Sequence, residues 1–281
     1  MDCGPGPGGT GSTGADGEAG PVCFVHVMKT AGRALADVIA RPLEARSPGS
    51  TMVGLTLDDF VRLPDDTWAH IRFLSGHLSF EALELLPAST TAVTVLRDPV
   101  ERTLSHYSHL RAAPEVRAEW GDLTLAEFLT HERWRDLVAD YQARHLGHRI
   151  GLVDAHRTFA PEERFGALGP PFPPTHSHPL QSLFDCGPAA TRDELRPVAL
   201  ANLASVDVVG TTEQLDRIAH DVADRLGLGR RTVQHLHATP ERLRRQQVDR
   251  GLLRLIGELT ELDEELVELA RQGGVPPTAV A

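Results

Sequence analysis

Apolar positions along the chain fall into two alternating patterns, short β-branched runs and longer stripes at helical spacing. The first run, Val22 to Val27, has the length of a buried strand. Leu35, Val38 and Ile39 follow at i, i+3, i+4 and predict a helix. Segment 41–70 is loosely patterned, with one possible strand at Thr51 to Leu55. Ile71 to Ser75 predicts a strand ending at Gly76-His77, and Thr91 to Leu96 another that runs into Arg97-Asp98-Pro99. Pro99 suits a first helical turn, and Val100, Thr103, Leu104 and Tyr107 supply that helix's apolar face. Further helical pattern lies within 123–147, and a Pro- and Gly-rich stretch over 160–190 predicts an irregular loop. A helix at about 192–204 leads to a strand at Val206 to Val209, turning at Gly210-Thr211-Thr212. Leu215, Ile218, Ala219, Val222 and Leu226 form a clean stripe, and Leu252 through Leu269 a long closing amphipathic helix.

Strands alternating with helices predict an α/β fold, a three-layer parallel sheet with helices on both faces. In such sheets ligands sit beyond the carboxyl ends of the strands, near a topological switch point. Lys29, His77, Arg97 and Thr211 each fall just past the carboxyl end of a predicted strand. Residues 1–20 hold almost nothing to bury and predict a disordered tail, leaving one domain over 21–271 and a flexible tail over 272–281.

Composition narrows the function. The net charge of −11 argues against a nucleic-acid partner. Cys3, Cys23 and Cys186 form no spaced framework, so neither a disulfide scaffold nor a zinc site follows, and a reducing compartment is expected. No run approaches the roughly 18 apolar residues of a membrane span, and no basic-then-apolar leader opens the chain, so a cytoplasmic protein is expected. Heavy Arg, Ala and Leu usage points to a GC-rich bacterial genome. No spacing among His106, His109, His176 and His178 makes a metal site, and solvated side chains are expected there.

The chemistry concentrates in two places. Met28-Lys29-Thr30-Ala31-Gly32 is a tight turn between a strand and a helix, where unpaired helix N–H groups and the dipole's positive end attract phosphate. Of the 28 basic residues, Lys29 is the only lysine, a compact ammonium where arginine serves everywhere else. At the second place Arg97 leaves a strand end and Ser105 lies two turns along the next helix. A guanidinium fork and a hydroxyl so placed can share one tetrahedral anion.

The two motifs in register resemble the sulfotransferases that use 3′-phosphoadenosine 5′-phosphosulfate (PAPS), closest in pattern to the 2-O-sulfotransferase-like and bacterial branch. Lys29-Thr30-Ala31-Gly32 is similar to that family's 5′-phosphosulfate loop, and Arg97 with Ser105 to its 3′-phosphate site. Ser75-Gly76-His77-Leu78-Ser79-Phe80 resembles the branch's Gly-His segment, and Tyr141 to Arg144, Val208 to Glu213 and Leu259 to Leu266 its later segments. The chain departs from the pattern at Met28, where Pro is usual, and at Arg33-Ala34, where a hydroxylated pair is usual. An Arg-Ala pair at that point resembles the glucosaminyl 3-O-sulfotransferase branch, whose catalytic glutamate corresponds in place to Asp37. His237 stands where the family often has Asn.

The resemblance implies a P-loop-type fold and a metal-free transfer of a sulfuryl group from PAPS to a hydroxyl or amine of a small-molecule acceptor, leaving adenosine 3′,5′-bisphosphate. It implies nucleotide contacts from Lys29, Thr30, Ala31, Gly32, Arg33, Ala34, Arg97, Ser105 and Thr211. Lys29 would stabilise the developing charge, and His77 is the first choice of base, with Asp37 its rival. Two other readings remain, a P-loop-like nucleotide kinase and a non-catalytic nucleotide-binding protein. The kinase reading meets an obstacle, because no Gly-x-x-x-x-Gly-Lys-Ser/Thr occurs and Arg33-Ala34 offers magnesium no hydroxyl.

Overall fold

The computed structural model describes residues 20–112, 122–168, 191–233 and 242–274. The Gly/Pro tail, the Pro-rich stretch with His176, His178 and Cys186, His237 and the last seven residues lie outside them. Five strands form the core: β1 (Val22–Val25), β2 (Thr51–Leu55), β3 (Phe73–Gly76), β4 (Thr91–Leu96) and β5 (Val208–Thr211). The described α-helices begin with α1 (Gly32–Arg46), α2 (Leu57–Val61), α3 (Pro99–Ala112), α4 (Leu125–Thr130), α5 (Glu132–Arg135) and α6 (Tyr141–Gly147). They continue with α7 (Leu152–Thr158), α8 (Pro161–Ala167), α9 (Arg192–Ala204), α10 (Leu215–Arg225), α11 (Arg250–Leu259) and α12 (Glu261–Arg271).

All strand pairs are parallel, in the order β2-β3-β1-β4-β5. Alternate side chains of the strands feed two separate apolar layers, as a two-residue period requires. Val22, Phe24, Phe73, Val93, Val95 and Val208 pack against Leu35 and Ile39 of α1 and Ile218 and Val222 of α10. Cys23, Val25, Leu74, Leu96 and Val209 pack toward Tyr141 and Leu146 of α6, Leu195 and Ala199 of α9 and Leu266 of α12. The result is the three-layer α/β architecture expected from the alternating pattern. A third cluster, with Leu104, Phe128, Leu137 and Ile256, ties α3, α4 and α11 together beside the sheet. Among the described residues no helix is long and apolar enough to cross a membrane.

Several expected boundaries move. The strand read as Val22 to Val27 stops at Val25; the His26 N–H still donates to the Gly76 carbonyl at 3.1 Å before the chain enters the turn. The strand read as Ile71 to Ser75 runs from Phe73 to Gly76, where its neighbours β1 and β2 both supply partners. The last strand ends on Thr211, so this residue closes β5 rather than following it. Loop 160–190 begins with a helix, α8. The long closing helix is two helices, broken at Thr260 with φ −129°.

The strand order has one consequence for function. From β1 the chain leaves through α1 toward β2 on one side, and from β4 it leaves toward β5 on the other. Adjacent strands β1 and β4 therefore flank the switch point, beyond whose carboxyl ends such sheets bind their ligands.

Candidate anion-binding site

The turn after β1 has an unusual backbone. Lys29 and Ala31 both adopt positive φ, 70° and 64°, and Ala31 is the N-cap of α1. Left-handed conformations cost a non-glycine residue about 1 kcal/mol or more. Alternating left- and right-handed residues turn successive N–H groups toward one concave point, a nest for an anion. Thr30 braces the turn from below, its Oγ1 donating to the Val27 carbonyl at 2.8 Å. That hydroxyl is spent inside the protein, which leaves only the backbone of Thr30 for a ligand. α1 has no side-chain cap and no acidic residue in its first turn, so its positive end stays uncompensated. The N–H of Ala34 donates to the Ala31 carbonyl at 3.1 Å and is spent within the turn, while the side chain of Arg33 is exposed.

Gly32 is required by its neighbour. A Cβ there would lie 2.0 Å from Cδ2 of His26, whose ring packs under the start of α1. His26 in turn stacks on His77, with ring centroids 4.4 Å apart. His77 lies just past β3, its backbone N–H donating to the Leu55 carbonyl at 3.0 Å. Its Nδ1 is 3.0 Å from the His26 carbonyl oxygen. A carbonyl only accepts, so the neutral ring carries its proton on Nδ1 and Nε2 is its basic nitrogen.

Arg97 comes from the other side of the switch point. Its Nη1 donates to the Lys29 carbonyl at 2.9 Å, joining the end of β4 to the turn after β1. Ser105 is buried along α3, on the helix that Arg97 precedes. Arg242, which the sequence pattern did not single out, closes the group. It pairs with Glu101, whose carboxylate also lies 3.9 Å from Nη2 of Arg97. Burial, then Arg97, Arg33, Arg242 and Arg102, bring the Lys29 ammonium down to about 8. Burial and Arg242 likewise lower Arg97 to about 10, against the opposing pull of Glu101. No carboxylate pairs with Lys29 among the described residues. Cations crowded and partly desolvated in this way are relieved by a multiply charged anion.

Of the other candidates, Thr211 is the ladder partner of Leu96, the residue before Arg97. The Asp37 carboxylate accepts from Nη2 of Arg41 at 3.2 Å, one turn along α1. Thr211 is buried at the end of β5. His106 corrects the expectation of a solvated side chain. It is fully buried, edge-on to Tyr141 at 5.9 Å, and burial with Arg102 holds it well below the usual histidine range. No group of three or more His, Cys, Asp or Glu fit to hold a metal ion occurs among the described residues.

Fold and site together define an α/β protein with a cluster of cations at a sheet switch point. No protein-family model matches the chain. No curated protein matches it either. Among solved structures, a sulfotransferase from Alicyclobacillus acidocaldarius is similar at a TM-score of 0.43 and 16% identity, over 91% of this chain and 97% of that one. A likeness of that degree bears no weight on activity.

Proposed function

We propose that the chain is a PAPS-dependent sulfotransferase acting on a hydroxyl or amine of a small-molecule acceptor. The observation that carries this reading is the contact of Arg97 with the Lys29 carbonyl, which puts two separate cationic motifs together at the switch point. A nucleotide charged at both its 5′ and 3′ positions needs two such grips. The turn amides and Lys29 would hold the 5′-phosphosulfate, and Arg97 with Ser105 the 3′-phosphate. Bound there, PAPS supplies the sulfuryl group. The acceptor oxygen or nitrogen forms a bond to sulfur as the bond from sulfur to the 5′-phosphate oxygen breaks. Nε2 of His77 takes the acceptor proton, and Lys29 neutralises charge building on the departing phosphate. Between the two candidate bases, the pairing of Asp37 with Arg41 favours His77.

A magnesium-dependent kinase fits less well. The hydroxyl next to Lys29 in sequence, that of Thr30, is turned to the Val27 carbonyl. The test has two parts. Titration should give much tighter binding of adenosine 3′,5′-bisphosphate than of ATP, and mass spectrometry should find acceptors gaining a sulfo group from PAPS. Preference for ATP, with phosphorylated products, would replace this reading with the kinase one.

A further inference from the structure

Past Leu96 the backbone of β4 has no strand to pair with. The β1 ladder ends at Thr94 and the β5 ladder at Leu96, so Arg97 lies beyond both. Buried backbone groups must still find partners. The side chain of Gln142, fully buried on α6, fills that gap. Its Oε1 accepts from the Arg97 N–H at 2.9 Å, and its Nε2 donates to the Arg97 carbonyl at 2.8 Å. One carboxamide thus mimics an adjoining strand for a residue whose guanidinium reaches the Lys29 turn. A glutamine or asparagine carboxamide offers donor and acceptor side by side in one uncharged planar group, and glutamine has the longer reach.

The anchor is itself fixed. Asp140, the N-cap of α6, accepts from the Leu262 N–H at 2.9 Å, while Asp263 of α12 accepts from the Ala143 N–H at 2.8 Å. Each helix caps the first turn of the other, which holds Gln142 at a set height over the sheet edge.

We infer that Gln142 is a positioning residue that aims Arg97 and thereby gives the site its selectivity for a 3′-phosphorylated nucleotide. This rests on the nucleotide reading proposed above. An amide clamp on both backbone groups fixes the chain at Arg97, and the Lys29 carbonyl holds one end of the guanidinium, so the fork meets the 3′-phosphate without first ordering the chain.

The experiment compares affinities for adenosine 3′,5′-bisphosphate and adenosine 5′-monophosphate in the wild type, Gln142→Met and Gln142→Glu. Methionine keeps the volume and loses both bonds; glutamate keeps the acceptor and loses the donor. In folded variants the bisphosphate should bind at least tenfold more weakly, with the monophosphate changed less than twofold. Equal losses for both nucleotides would reduce Gln142 to a structural role, and undiminished bisphosphate binding would remove it altogether. Amide hydrogen exchange on the wild type needs no variant: the Arg97 N–H should exchange slowly, and fast exchange contradicts the clamp. A wild type that binds no bisphosphate would instead overturn the nucleotide reading, and this inference with it.

Discussion

At the scale of single residues, the site depends on backbone conformations that its side chains do not favour. Ala31 sits at φ 64° without the freedom of glycine. Ala31→Gly should leave stability unchanged or raise it by up to about 1 kcal/mol, whereas Ala31→Val should cost more than about 1 kcal/mol. Denaturant midpoints measure both. Lys29, at about 8, gives the site a pH signature. Its folded value lies below the unfolded 10.5, so the fold gains relative stability from this group as pH rises from about 8 to 10.5. Nucleotide binding as proposed would run the other way, because it would need the ammonium. Affinity for adenosine 3′,5′-bisphosphate should fall as pH rises through about 8, and Lys29→Arg should flatten that fall in calorimetric titrations. Lys29→Ala should abolish turnover while nucleotide binding stays measurable. His77→Ala should lower kcat far more than it weakens PAPS binding; the same behaviour from Asp37→Ala alone would reverse the choice of base.

At the scale of elements, the paired capping of α6 and α12 is the joint under the site. Asp140 also accepts from Nε of Arg192 at 2.5 Å. Asp140→Ala removes a buried cap and an ion pair together and should cost about 3 kcal/mol in denaturant unfolding. Asp140→Asn, which keeps one acceptor and tolerates φ 41°, should cost less. Burial pushes the Asp263 carboxyl up to about 7, with Arg102 opposing. Its folded value exceeds its unfolded one, so its contribution falls as pH rises from about 4 to 7. The stability of Asp263→Asn relative to wild type should therefore rise across that window, read from midpoints at either end. This joint also explains what the sequence could and could not show. Strands such as Thr91–Leu96 are legible because a buried parallel strand is a continuous apolar run. The break at Thr260 is not, because the leucine stripe continues through it. The break frees the first N–H groups of α12 for Asp140, a partner 122 residues away from Leu262 in sequence.

At the scale of the molecule, an acidic chain of net charge −11 concentrates cations at one sheet edge. Lys29 and Arg97 were legible because each closely follows a recognisable strand. Arg242, Gln142 and His26 were not, because their roles come from tertiary contacts: an ion pair, an amide clamp and a ring under a glycine. The proposed function assigns the nucleotide's two charged ends to different strands, β1 and β4. A crystal structure with adenosine 3′,5′-bisphosphate tests this most directly. The account predicts the 5′-phosphate on the amides and ammonium of the Lys29 turn and the 3′-phosphate on the guanidinium of Arg97. A bisphosphate bound with either phosphate away from those groups, or elsewhere on the protein, would contradict it.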